Sequence, residues 1–295
     1  MLYPDFNELI KLKAKVASIK LPTNSSHNML LGDYASLFHG LGMEFEAVRN
    51  YVTGDDIRHI DWRVSARTGK AHIKTFRAER DKQVLVIVDV NATMRFGTRG
   101  TFKSIQAARA AAILAWRILY NQDRFGGLLF GEVANGLLYF PPSRHQSTVW
   151  KLLKALCNTA TTIQQAVTIV SALQYLLKVA PAQSLLFIIS DFALYNINSL
   201  AKPLADLRRK CHLVLLPVSD IADRELPAIG AWLCKNTDNQ QTLIHSNDQA
   251  ARVAYNKDWL AYQQQLIAMT RRLNIPMIWL DTNKDVIMDV LQGLR

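Results

Sequence analysis

The sequence predicts an α/β fold, a doubly wound and mostly parallel sheet with helices on both faces, joined to a small N-terminal subdomain. Three observations carry this reading. Val84 to Val88 is a β-branched apolar run bounded by polar residues, as expected of a parallel strand buried on both faces. Ser184 to Ser190 (SLLFIIS) repeats the pattern, and each run ends on a carboxylate, Asp89 and Asp191. From Leu85 onward, strand-like and helix-like segments alternate, which is the signature of a parallel sheet covered on both sides.

The elements follow in order. A long alanine-rich helix is expected over 101–121, then two short strands at 124–132 and 136–140 in an antiparallel edge hairpin that Pro141 and Pro142 bring to an end. Helices are expected over 145–159 and 162–179, the second stopped by Pro181. After the strand at 184–190 come a helix at 199–210, a strand at 212–218, an irregular polar stretch at 220–247, a helix at 251–273, a strand at 277–280 and a closing helix at 284–291. Upstream, residues 6–19 read as an amphipathic helix and 71–76 as a short strand. The domain reading is 1–82 for the N-terminal subdomain and 83–295 for the α/β domain.

Composition narrows the function. With 295 residues and 49% hydrophobic content the chain can build a large core. Cys157, Cys211 and Cys234 lack CxxC spacing, which argues against a zinc site or a disulfide framework and for a reducing compartment. No secretory leader is legible in the first twenty residues, and the apolar stretch 107–119 is too short to span a bilayer, so a cytoplasmic protein with no membrane span is expected. The formal charge of +11 favours acidic partners. Because bases and acids are interspersed and form no stripe, nucleic acid is not the expected partner, though a basic nucleic-acid binder stays as an alternative.

Enzymatic chemistry finds little support. There is no GxxxxGK[ST] phosphate loop, no HExxH pair and no GxSxG elbow. Asp89-Val90-Asn91-Ala92-Thr93 is similar to the Asp-x-Asp-x-Thr motif of haloacid-dehalogenase-type phosphotransferases, but Asn91 cannot pass a proton as the second acid must. A non-enzyme is expected.

Asp89, Asn91 and Thr93 set three hard oxygen donors just past a strand end, where ligands of open α/β sheets bind. Such donors suit Mg²⁺, with Mn²⁺ or Ca²⁺ as alternatives. Together with Thr161 or Thr162 and with Asp191 they resemble the metal-ion-dependent adhesion site of von Willebrand factor A domains, Asp-x-Ser-x-Ser followed by a separated Thr and a separated Asp. The sequence departs from that pattern at Asn91, which stands where a serine is usual, and at Thr93, which replaces the second serine but keeps a hydroxyl.

A second resemblance is more specific. Gly40-Leu41-Gly42-Met43-Glu44-Phe45, Arg49 through Arg63 (RNYVTGDDIRHIDWR), Ser65-Ala66-Arg67-Thr68-Gly69 and Glu79-Arg80 resemble the signature of the bacterial domain-of-unknown-function 58 family. Phe96-Gly97, Lys103, Gln122-Asp123-Arg124, Ser190-Asp191-Phe192 and Asp223 through Pro227 with Gly230 agree with it. The resemblance implies a von Willebrand-type domain after the signature, a partner of the MoxR-type AAA+ ATPase class, and an adaptor role in assembly or maturation of other complexes. A metal-free scaffold of the same fold is the alternative. Within the signature, Arg58, Arg63 and Arg67 are expected to pair with Asp55, Asp56, Asp61 or Glu79, and Trp62 to add buried aromatic area.

Overall fold

A computed structural model describes residues 3–18, 44–52, 55, 57, 60–77, 82–158, 167–193, 196–235 and 241–293. In chain order its elements begin with α1 (Phe6–Ser18), β1 (Glu44–Asn50), α2 (Trp62–Thr68), β2 (His72–Arg77), β3 (Gln83–Asp89), α3 (Lys103–Tyr120), β4 (Arg124–Phe130), β5 (Leu137–Ser143) and α4 (Gln146–Cys157). They continue with α5 (Ile169–Val179), β6 (Leu185–Ser190), α6 (Ile197–Lys210), β7 (His212–Ser219), α7 (Ile221–Arg224), β8 (Ala231–Lys235), β9 (Gln241–His245), α8 (Gln249–Arg272), β10 (Leu280–Asp281) and α9 (Val286–Gly293).

The chain forms two compact units, Met1–Ala35 with Lys82–Arg295, and Ser36–Asp81. This differs from a subdomain of residues 1–82, because α1 packs on α3 of the larger unit. Leu9, Leu12 and Val16 make its buried stripe at helical spacing. Trp116 Nε1 donates to the Leu9 carbonyl at 3.0 Å, and Arg109 Nε reaches Glu8 at 2.6 Å. Burial of that stripe outweighs closeness in sequence to the signature segment.

The larger unit is built on a six-stranded sheet of order β10-β7-β6-β3-β4-β5. All neighbours run parallel except β5, which is antiparallel to β4 at one edge. Alternation sorts the strands into two faces. Leu85, Ile87, Leu186, Ile188, Leu213 and Leu215 join a core with Leu173 and Leu176 of α5, Leu200 and Leu204 of α6, and Leu266 of α8. On the opposite face, Gly127 of β4 sits under Leu152 of α4. Helix α3 packs on β3, α4 and α9, and is buried nearly all round; Ala107, Ala108, Ala110, Ala111, Ala112 and Ala115 let neighbouring backbones come close.

Three expectations for this unit need correction. Pro141 and Pro142 lie inside β5 rather than ending it, which an edge strand permits because it has a side with no ladder partner. The stretch 220–247 is not simply irregular, since it contains α7 and the antiparallel pair β8–β9. The expected strand at 277–280 is reduced to an isolated bridge at Met277 and the two-residue β10.

The smaller unit carries the antiparallel pair β1–β2 and helix α2. Asp61 caps α2 by accepting from the Arg63 and Val64 amides at 3.1 Å each, and Gly69, at φ +71°, closes it with its amide on Ser65. Asp55 is held by both guanidinium nitrogens of Arg49 at 2.7 Å, and this pairing keeps its carboxyl below the usual range. The partner of Asp55 is therefore Arg49 and not one of the three expected arginines; Asp56, Arg58 and Glu79 lie outside the described residues, and with them the pairings expected of these residues. Trp62 is 71% exposed instead of buried, because it starts a one-sided helix at the surface.

The close approach of α4 to the sheet gives a test. A Cβ at Gly127 would stand 2.1 Å from Leu152 Cδ1 and 2.9 Å from the Val86 carbonyl oxygen. Gly127→Ala is expected to cost about 1–3 kcal/mol by overpacking. Adding Leu152→Ala should cost less than the sum of the two single changes, by at least about 0.5 kcal/mol in urea melts, since the methyl then fills part of the space vacated. Strict additivity would contradict this packing.

Candidate functional site

Parallel strands deliver their carboxyl ends to one edge of the sheet, and here each of the three central parallel strands supplies a buried carboxylate there. Asp89 ends β3 at 1% exposure, Asp191 follows β6 at 7% and Asp220 follows β7 at 0%. Each is satisfied differently.

Asp89 Oδ1 accepts from the Asn91 amide nitrogens of backbone and side chain, at 3.0 and 2.7 Å, and Oδ2 accepts from Ser190 Oγ at 2.6 Å. Ser190 in turn accepts from the Phe192 amide at 3.0 Å, so the ends of β3 and β6 are tied through one hydroxyl. Gly131, at φ +112°, backs Asn91: a Cβ there would stand 2.7 Å from the Asn91 amide carbon. Thr93 is the middle residue of the turn Ala92–Met94 in the same loop, and its hydroxyl is buried with no hydrogen-bond partner among the described residues.

Asp191 faces a cation of the chain's own. Lys103, the first residue of α3 and 3% exposed, sets its ammonium 3.3 Å from Asp191 Oδ2 and 2.9 Å from Asp223. Burial works to pull the Lys103 ammonium down, but the two carboxylates outweigh it and hold it above the ordinary lysine value. Asp191 Oδ1 also accepts from the Ala193 amide at 3.2 Å. Asp220 accepts from the hydroxyls of Thr98 and Thr282, both at 2.6 Å, and from the amides of Thr98 and Ala222. Against the pull of burial, those bonds hold its carboxyl below the usual range.

Of the residues expected from sequence, Asp89 and Asn91 are in direct contact, and Ser190 connects Asp89 to the end of the strand that precedes Asp191. Thr93 is on the same loop; Thr161 and Thr162 lie outside the described residues. The sequence reading missed Ser190, Lys103, Asp220 and Asp223 as parts of this edge. The signals were present: Lys103, Ser190 and Asp223 lay within the signature fragments, and Asp220 ends a third apolar run.

The donor chemistry fits a divalent cation. The oxygens are hard, the buried Thr93 hydroxyl lacks a partner among the described residues, and the buried carboxylates exceed the ammonium that faces them. Among the described residues no group of three or more His, Cys, Asp or Glu is placed to hold an ion, so neutral oxygens would have to supply much of the shell.

Asp89, like Asp220, has no cation partner among the described residues, but it has fewer hydrogen-bond donors. Burial, and to a smaller extent the neighbouring Asp191, push its carboxyl up to about 6, although bonds from Ser190 and Asn91 pull the other way. The folded chain thus keeps a proton on Asp89 that the unfolded chain has released, and stability falls as pH climbs from the ordinary aspartate range through about 6. In chelator, Asp89→Asn is expected to gain on wild type between pH 4 and 7 by on the order of 2 kcal/mol in urea melts. A constant difference across that range would show that Asp89 stays ionised throughout.

Comparison with known proteins places the chain. Over 288 residues it is 27% identical to the uncharacterised protein Rv1480 of Mycobacterium tuberculosis, covering 96% of this chain and 88% of that protein. Among solved structures, an aerotolerance-related membrane protein from Bacteroides fragilis is similar over 72% of this chain and 96% of its own, with 11% identity and a TM-score of 0.46. The SpRpn10 VWA domain is similar over 72% of this chain and 94% of its own, with 10% identity and a TM-score of 0.40. Residues 47–265, most of the chain, match the family described as "Protein of unknown function DUF58", and the protein belongs to that family.

Proposed function

We propose that this protein is a non-enzymatic binding module that uses the carboxyl edge of its six-stranded sheet to engage a partner protein through a divalent cation. Mg²⁺ is the expected ion, with Mn²⁺ or Ca²⁺ as alternatives, held by Asp89, Asn91, Thr93, Thr161 or Thr162, and Asp191. When bound, the ion supplies a Lewis-acidic position for a carboxylate of the partner. The observation that supports this reading is the buried hydroxyl of Thr93, which has no partner among the described residues, on the loop that leaves a buried Asp89 with no cation partner among them. Lys103, Ser190 and the Asn91 amide hold the two carboxylates in place. The net basic charge would steer an acidic partner, more strongly at low salt. From the family resemblance, the partner we propose is a MoxR-type AAA+ ATPase, with the protein acting as an adaptor in assembly or maturation of other complexes.

One observation favours a metal-free scaffold as the second reading: the Lys103 ammonium already serves Asp191 as a cation. Calorimetric titration separates the two. Mg²⁺ is expected to give saturable heat with a Kd on the order of 0.1–1 mM, weak because few charged ligands are available. At 10 mM Mg²⁺ this corresponds to about 1–3 kcal/mol of added stability. Asp89→Ala and Thr93→Val should each abolish the heat while leaving a cooperative thermal transition. No saturable heat with Mg²⁺, Mn²⁺ or Ca²⁺ would leave the scaffold.

Partner capture is a separate matter. An immobilised wild-type chain is expected to retain a purified MoxR-type ATPase, and chelator or the Asp89→Ala, Asp191→Ala double variant should reduce retention at least tenfold. Equal retention by all three would remove the cation from recognition.

A further inference from the structure

We propose that a cavity beside Asp191 is a pocket for an arginine side chain of a partner polypeptide. The cavity, of about 300 Å³, opens between the carboxyl ends of β6 and β7 and helix α8. That volume suits a single side chain with some water rather than a folded segment.

Its walls are aromatic. Tyr255, Trp259 and Tyr262 come from α8 and Trp279 from the segment before β10, and all four are half-buried. The two tyrosine hydroxyls are directed to backbone, Tyr255 donating to the Ala222 carbonyl at 2.9 Å and Tyr262 to that of Asp191 at 3.3 Å. The guest therefore meets ring surface more than hydroxyl.

Its charge is acidic. Asp191, Asp223 and Asp258 line it with a single ammonium, that of Lys103, which is shared between the first two. Asp258 is exposed and has no ion-pair partner among the described residues. An electron-rich aromatic enclosure with excess carboxylate selects a cation. On a chain of net charge +11 this pocket runs against the overall field, so it adds register and selectivity that general attraction cannot supply.

A guanidinium fits better than an ammonium. It is planar, less strongly hydrated, stacks on indole and can meet a carboxylate with two parallel bonds. One guanidinium of the chain already lies near Trp259: the Arg224 guanidinium carbon is 5.9 Å from its ring centroid, with Arg224 ion-paired to Asp281.

The inference rests on reading this edge of the sheet as a docking surface, and it does not need the divalent cation. Calorimetry in chelator tests it, with the peptide Ac-Gly-Arg-Gly-NH₂ as probe, its citrulline and lysine counterparts, and free L-arginine. The arginine peptide is expected to bind saturably in the millimolar range, at least fivefold tighter than the lysine peptide and at least tenfold tighter than the citrulline one. Trp259→Leu and Asp258→Asn should each weaken it at least fivefold with the melting transition retained, whereas Trp259→Phe, which keeps a ring, should stay within about threefold of wild type.

Equal binding of the citrulline peptide, tighter binding of the lysine peptide or of free arginine, or no effect of Asp258→Asn would each overturn the proposal. Loss of arginine-peptide binding with the Mg²⁺ heat intact would reject this pocket alone; absence of Mg²⁺ heat with peptide binding intact would reject the divalent-cation reading alone.

Discussion

Everything at the carboxyl edge of the sheet depends on keeping carboxylates ionisable where parallel strands end inside a packed protein. A buried charge without partners is costly, and the penalty is avoided only by hydrogen bonds or an opposing charge. Asp220 is satisfied with hydroxyls and amides contributed by Thr98, Ala222 and Thr282, which also bind three separate segments together. Asp191 takes an ammonium. Asp89 has three neutral donors, and burial, helped by the neighbouring Asp191 charge, pushes its carboxyl up to about 6. The asymmetry singles out one strand end as the place where a further cation would stabilise the fold most.

The rest of the architecture serves that edge. Helix α3 can start directly beneath it because its alanines allow tight contact with the sheet, α1 and α9, and this close seating carries Lys103 to Asp191 and Asp223. Gln106, one turn on, donates to the carbonyls of Asp281 and Lys284 at 2.8 and 2.9 Å, tying the end of β10 to the same helix. A change that shifted α3 along its axis would therefore disturb Asp191, a proposed ligand, and Asp223 through Lys103 before reaching Asp89. Stability and site geometry are coupled through one helix N-terminus.

Legibility in the sequence followed the strength of the local pattern. The strands β3, β6 and β7 were readable because short apolar runs between polar residues admit few other solutions, and α3 because its alanine face is long. The pair β8–β9 was not, since AWLCK and QTLIH are short and mixed and show no clean alternation, although they are neighbours in sequence. The assignment of α1 needed tertiary information: an apolar stripe says that a helix packs, not on what. At the site, strand-end acids were visible one at a time, whereas Lys103 reaching across 88 positions to Asp191 has no local signature. The aromatic pocket was hidden for the same reason, its walls coming from α8 and from the approach to β10.

Lys103 also limits what a metal could do. A divalent ion ligated by Asp89 and Asp191 would share Asp191 with an ammonium that approaches its Oδ2 at 3.3 Å, and the two cations repel. Asp223 eases this by offering the ammonium a second carboxylate at 2.9 Å, onto which it can lean as an ion arrives. Movement of the ammonium toward Asp223 would also change the charge at the mouth of the aromatic pocket, because both groups line it. The proposed cation site and the proposed pocket would therefore share Asp191, with Lys103 beside both, and a partner that carries an acid for one and an arginine for the other would engage both with the charges in register. In such an arrangement Lys103 acts as the hinge of the electrostatics: it ligates nothing, yet its position determines how much negative charge each neighbouring site presents.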